Sequence, residues 1–263
     1  MKYALSILII IPVIFLIGCG PKKNPQAPTG KQELLSYIYN GSKLLREQKC
    51  QEAANEYTKY LAKDKSSPEA WNWLGVANLC LKDYSAAKVD FEKALSLDPM
   101  YSLVHNHLGI LYMETEQWGL AEKEFNELLK DKRSNPAAAY YNLATLFIKK
   151  KDNQTALYYA RKCVEYQPNE VAPRLLYISI LTELNRIDEA LAESRAIVQK
   201  NPKSQEANFT LANLLFDLSK MCEAKTYFSK VTEINPTNDI GKDALEKLRT
   251  IQCSQDAPLT PLP

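Results

Sequence analysis

The side chains in this chain of 263 residues best suited to chemistry are six cysteines and two histidines. A thiol can serve as nucleophile, metal ligand, disulfide partner or acylation site, and an imidazole as base or ligand. His105 and His107 stand two apart, so on one helix they project in different directions and do not grip one ion. His105 reads as a packed or edge residue. No histidine or carboxylate sits at i, i+4 in a metal-protease arrangement, and no nucleophile-elbow or phosphate-loop glycine pattern occurs. The sequence therefore predicts no enzyme, no metal site, no cofactor and no small-molecule substrate. Thirty-three basic residues balance 31 acidic ones, without the basic stripe that a nucleic-acid binder needs.

The elements that must position these residues are clearest in Pro68 to Tyr101. Glu69 to Leu81 and Ser85 to Leu97 are amphipathic runs, separated at Asp83-Tyr84 and closed by Asp98-Pro99. Trp71, Leu74, Gly75 and Asn78, then Ala87, Phe91, Ala94 and Leu97, recur at helical spacing, so each run offers one stripe to bury. The pair reads as a helical hairpin whose axes approach closely at Gly75 and Ala87. A lone hairpin cannot bury both stripes, and the chain supplies neighbours. At a period of 34, Gly41, Gly75, Gly109, Ala144, Ile178 and Ala212 occupy one position, and Ala53, Ala87, Ala121, Ala156, Ala190 and Ala224 another. The third copy is one residue longer. Closing turns carry Pro99, Pro136, Pro168, Pro202 and Pro236, with Lys65 in the first copy.

Trp71, Leu74, Gly75, Ala87, Phe91, Ala94 and Pro99 resemble the tetratricopeptide repeat (TPR) consensus at its own period. The resemblance implies an all-α fold, a right-handed α-solenoid of six helical hairpins at about 34–67, 68–101, 102–136, 137–170, 171–204 and 205–238. A capping helix over 239–252 follows, with Ile240, Ala244, Leu245, Leu248 and Ile251 as its apolar stripe. The repeat domain so defined spans 32–252, ahead of a proline-rich tail at 253–263. Ile178 replaces the small residue of the fifth copy, and Arg174 and Asn208 replace the aromatic of the fifth and sixth, so altered crossing angles are expected there.

The chain opens MKYALSILIIIPVIFLIGCG, a lysine followed by an apolar run too short to span a bilayer and interrupted by Pro12. Residues 1–18 read as a secretory signal. Leu16-Ile17-Gly18-Cys19 resembles the bacterial lipobox, which implies acylation of Cys19. Gly20 after the cysteine points to the outer membrane, on its periplasmic side. The segment 19–31 reads as the acylated cysteine and a flexible tether, with a reach of about 20 Å.

The other cysteines take defined places in the repeat. Cys50 begins the second helix of copy one and Cys80 ends the first helix of copy two. Antiparallel neighbours bring those ends to one edge. Cys222 and Cys253 repeat the relationship at the far end, which predicts disulfides Cys50–Cys80 and Cys222–Cys253 as staples of the terminal copies. Each would close a loop worth roughly 3–4 kcal/mol in the chain-entropy model. Cys163 falls at the position of Ala94 and is expected as a buried thiol.

In the TPR pattern the first helix of each hairpin lines a concave face. That places Asn72, Val76, Leu79, Asn106, Ile110, Met113, Tyr141, Thr145, Ile148, Leu175, Ser179, Phe209, Asn213 and Phe216 in a partner-binding groove. The surface is apolar with amides and hydroxyls interleaved, suited to a protein segment. The cations with which chaperone-binding TPRs clamp a terminal carboxylate are missing from it. A lipidated signal, a short tether and six repeats resemble the pilotins of type IV pili, which implies an adaptor whose partner is a secretin subunit or another envelope protein. The alternative is a periplasmic scaffold for cell-wall enzymes or polysaccharide export machinery, built from the same parts.

Overall fold

The computed structural model describes residues 30–132 and 135–252. The signal segment, Cys19, the tether up to residue 29, Cys253 and the tail lie outside the described residues. Those described form thirteen helices and no strand: α1 (Gly30–Arg46), α2 (Cys50–Lys63), α3 (Pro68–Cys80), α4 (Tyr84–Leu97), α5 (Ser102–Glu114), α6 (Trp118–Lys130), α7 (Ala137–Lys149), α8 (Asn153–Tyr166), α9 (Val171–Glu183), α10 (Ile187–Lys200), α11 (Gln205–Asp217), α12 (Met221–Ile234) and α13 (Asp239–Thr250). They fall into two compact units, one ending at Leu111 and the other beginning at Tyr112. In the first, α1 pairs with α2, α3 with α4, and α2 packs on α3. In the second, α7 pairs with α8, α9 with α10 and α11 with α12, while α6 packs on α7, α8 on α9, α10 on α11 and α13 on α12.

Every hairpin turns in the same way. Gln48, Lys82, Glu116, Lys151, Asn185 and Ser219 all have φ between 57° and 63°. The N–H of Lys82 bonds to the Leu79 carbonyl and that of Asp83 to Asn78, and the other five turns repeat this pair of bonds. This is the Schellman arrangement, in which one left-handed residue lets the last helical carbonyls find donors. None of the six is glycine, so the turns were not legible from glycine placement. At the other ends, Ser67, Asp83, Asp152, Ser204 and Asn238 accept from the backbone N–H three residues on, each cap contributing about 1 kcal/mol.

The close approach within a hairpin is set by a pair sixteen residues apart. A Cβ on Gly75 would lie 2.6 Å from the Phe91 ring, and one on Gly41 would lie 2.5 Å from Tyr57. The glycine therefore faces the aromatic of the second helix, not the alanine expected opposite it. Ala53, Ala87, Ala121, Ala156, Ala190 and Ala224 are nonetheless fully buried. Where the ring becomes Ala160 the first-helix residue is Ala144, and where it becomes Ser194 the residue grows to Ile178; all four are buried. The fifth hairpin thus reverses which helix contributes the bulk, as close packing allows when a small residue faces a large one.

Arg174 and Asn208 likewise keep the function of the aromatic they replace. Trp71 Nε1 donates to the Lys65 carbonyl at 2.9 Å, Arg174 Nη2 to the Pro168 carbonyl at 2.9 Å, and Asn208 Nδ2 to the Pro202 carbonyl at 3.0 Å. In each case a side-chain N–H reaches six residues back to the preceding turn. Arg174, mostly buried, also pairs with Glu193 of α10. A disulfide joins Cys50 at the start of α2 to Cys80 at the end of α3, with Cα atoms 5.9 Å apart.

Candidate protein-binding site

The expected groove residues divide into accessible and inaccessible sets. In the first unit Asn72 is fully buried and Val76 and Leu79 nearly so, which corrects their assignment to an open groove. His107 of α5 covers Asn72: it stacks 5.7 Å from the Phe91 ring, lies 5.9 Å from Trp73, and its Nδ1 is 2.8 Å from Asn72 Oδ1. That contact is a hydrogen bond when Nδ1 carries the ring proton. Burial lowers the His107 pKa to about 4, so the ring is neutral at physiological pH. Asn72 Nδ2 is buried without a hydrogen-bond partner. Asn106 and Ile110, also of α5, are half-buried.

In the second unit, Met113, Tyr141, Ile148, Leu175, Phe209 and Phe216 are half-buried and present apolar surface. Thr145 is buried, a second correction. Its hydroxyl donates to the Tyr141 carbonyl at 3.0 Å, and that of Ser179 to Leu176 at 2.8 Å. Both hydroxyls are therefore spent on their own helices. Asn213 Oδ1 accepts from Lys247 of α13 at 2.8 Å, and the same ammonium lies 5.2 Å from the Phe216 ring and 5.8 Å from Phe228. Lys247 stands one repeat beyond Asn213, so α13 brings a cation to the row that the repeats alone lack. Phe209 and Phe216 both meet Phe228 edge-on. What remains for a partner is an aromatic and aliphatic row with few free amides, which favours capture of apolar side chains over reading of a backbone.

The strongly perturbed groups do not converge on this row. Asp90 of α4 is buried and accepts from Asn78 Nδ2 at 2.7 Å; burial raises its pKa to about 6. Cys163 is buried and free, its thiol donating to the Ala137 carbonyl at 3.3 Å and its pKa pushed up to about 12 by burial. Among the described residues no group of three metal-ligating side chains assembles, and no helix is long and apolar enough to cross a membrane.

Models of the tetratricopeptide repeat match residues 68–101, 106–170 and 205–238, together about half of the chain. The human protein O-mannosyl-transferase TMTC3 is 26% identical over 218 residues, 80% of this chain but 23% of that protein. The chain thus spans about a quarter of that curated relative. A solved structure of Pseudomonas aeruginosa PilF superposes with a TM-score of 0.64 at 18% identity, covering 82% of this chain and 98% of PilF. PilW, described as a widely conserved type IV pilus biogenesis factor, superposes with a TM-score of 0.67 at 16% identity, over 81% of this chain and 99% of PilW. At these identities the structures share the fold. With six hairpins in one phase and three matching segments, this chain belongs to the tetratricopeptide repeat family, a protein-interaction fold.

Proposed function

We propose that this protein is a lipid-anchored adaptor of the bacterial outer membrane, held through Cys19 and facing the periplasm. It captures an apolar segment of an envelope protein as a pilotin-like factor for secretin assembly. The observation that carries this reading is that PilF and PilW align with the repeats of this chain over nearly their whole lengths. That match, over about four-fifths of this chain, joined to a lipobox-like Leu16 to Cys19, supports the reading of a tethered assembly factor. The aromatic row of the second unit supplies the capture surface. Asp90, His107 and Cys163 each serve packing, so the adaptor acts without catalysis.

Deletion of the protein in its source bacterium tests this reading. Secretin multimers in isolated outer membranes should be lost and should return when the acylated chain is supplied. Multimers that persist undiminished would refute it. A charge placed on the capture row, as in Leu175→Glu, should abolish pull-down of the secretin by a folded protein; undiminished capture would move the interaction to another face.

A further inference from the structure

The first helix exposes an apolar ridge between two lysines. Lys31, Leu35, Tyr39 and Lys43 follow one another at four-residue steps along α1, and all four are exposed, Leu35 by 61% and Tyr39 by 66%. In later copies the adjoining face of the first helix is apolar and buried, as at Ala207, Leu211 and Leu214. In α1 the corresponding residues are Ser36, Asn40 and Lys43, which are exposed. Stacking another repeat or a second copy on this face would bury an ammonium and an amide without partners. A wet, anionic interface instead accepts the lysines at headgroup level while taking the leucine and the tyrosine ring.

We propose that this ridge of α1 lies on the anionic surface of the bilayer that carries the lipid anchor, orienting the repeats against the membrane. The inference rests on acylation of Cys19. Only residues 20–29 separate that cysteine from Gly30, where α1 begins. Eleven extended steps span less than about 40 Å, so α1 is held near the headgroups whatever path the tether takes. Lys22 and Lys23 add positive charge to that stretch. Such confinement gives the ridge a high effective concentration at the surface, so a contact too weak to recruit the protein alone still orients it.

Hydroxyl-radical labelling of the full acylated chain tests this on vesicles of phosphatidylethanolamine and phosphatidylglycerol. Tyr158, 56% exposed, is the internal reference. Labelling of Tyr39 relative to Tyr158 should fall about threefold or more on these vesicles and recover when Lys31→Glu and Lys43→Glu are combined, with flotation retained. A chain that floats with Tyr39 labelled as fully as Tyr158 overturns this inference and leaves the anchor standing. Concentration-dependent protection of Tyr39 without lipid would assign the ridge to a second copy and also overturn it. A chain that carries no acyl mass on Cys19 and does not float removes the anchoring reading and this one together.

Discussion

His107 and Asn72, thirty-five residues apart, meet at 2.8 Å in the interior of the first unit. The bond forms with Nδ1 protonated, and burial, which disfavours the charged ring, holds the pKa near 4, below the unfolded value of about 6.5. Because the folded pKa is depressed, the stability tied to neutral His107 is present above about pH 6.5 and is lost as pH falls through the folded pKa. At the acid limit the loss is about 3 kcal/mol. Denaturant melts between pH 7 and 4 should therefore show the wild type losing its margin over His107→Gln. A pH-independent difference between the two would contradict the assignment.

Asp90 has the opposite sign. Its folded pKa of about 6 lies above the usual carboxylate range near 3.9. The protonated form is favoured in the fold, so stability is greatest below the unfolded pKa and falls as pH rises through about 6. Asp90→Asn keeps an acceptor for Asn78 Nδ2 and removes the buried charge. The variant should be more stable than wild type by about 2 kcal/mol at pH 7, with no advantage at pH 3. Calorimetric melts at the two pH values check it.

The repeat phase, the paired helices and the placement of Cys50, Cys80 and Cys163 were legible because each depends on periodicity, which one sequence carries in full. Burial of Asn72 and Thr145 was not. For Asn72 it depends on His107 of α5, which stands at a position where other copies carry Asn142 or Thr210. The exchange of bulk between Ile178 and Ser194 could have been read from sequence by comparing residues sixteen apart, since Gly75 with Phe91 puts the bulk on the opposite helix. Residue by residue, Arg174 and Asn208 look like departures from the pattern; the bond they preserve involves a backbone carbonyl and leaves no trace in residue type.

That trade is testable by a double-mutant cycle. Gly75→Ala places a methyl 2.6 Å from the Phe91 ring and should cost about 1–3 kcal/mol by overpacking. Phe91→Ala should cost about 3–5 kcal/mol. The double variant reproduces the Ala144 and Ala160 pair of the fourth hairpin, and the methyl then occupies vacated space. It should be about 1 kcal/mol or more stable than the sum of the singles. Strict additivity in urea unfolding would show that the two positions do not share one volume.

The six left-handed turn residues offer a gain in stability. A side chain at φ near +60° crowds its own carbonyl by about 1–2 kcal/mol, and Lys82 at 62° and Ser219 at 58° carry that crowding with their side chains exposed. Glycine relieves it but gives the unfolded chain more freedom, an opposing effect of about 0.4–1 kcal/mol. Lys82→Gly and Ser219→Gly should each stabilise by about 0.5 kcal/mol on balance. Each should raise the unfolding midpoint in urea. Lys88→Gly, in the interior of α4, should destabilise by about 0.5–1 kcal/mol. A loss of stability at both turn positions would mean that their side chains hold contacts that outweigh the backbone crowding.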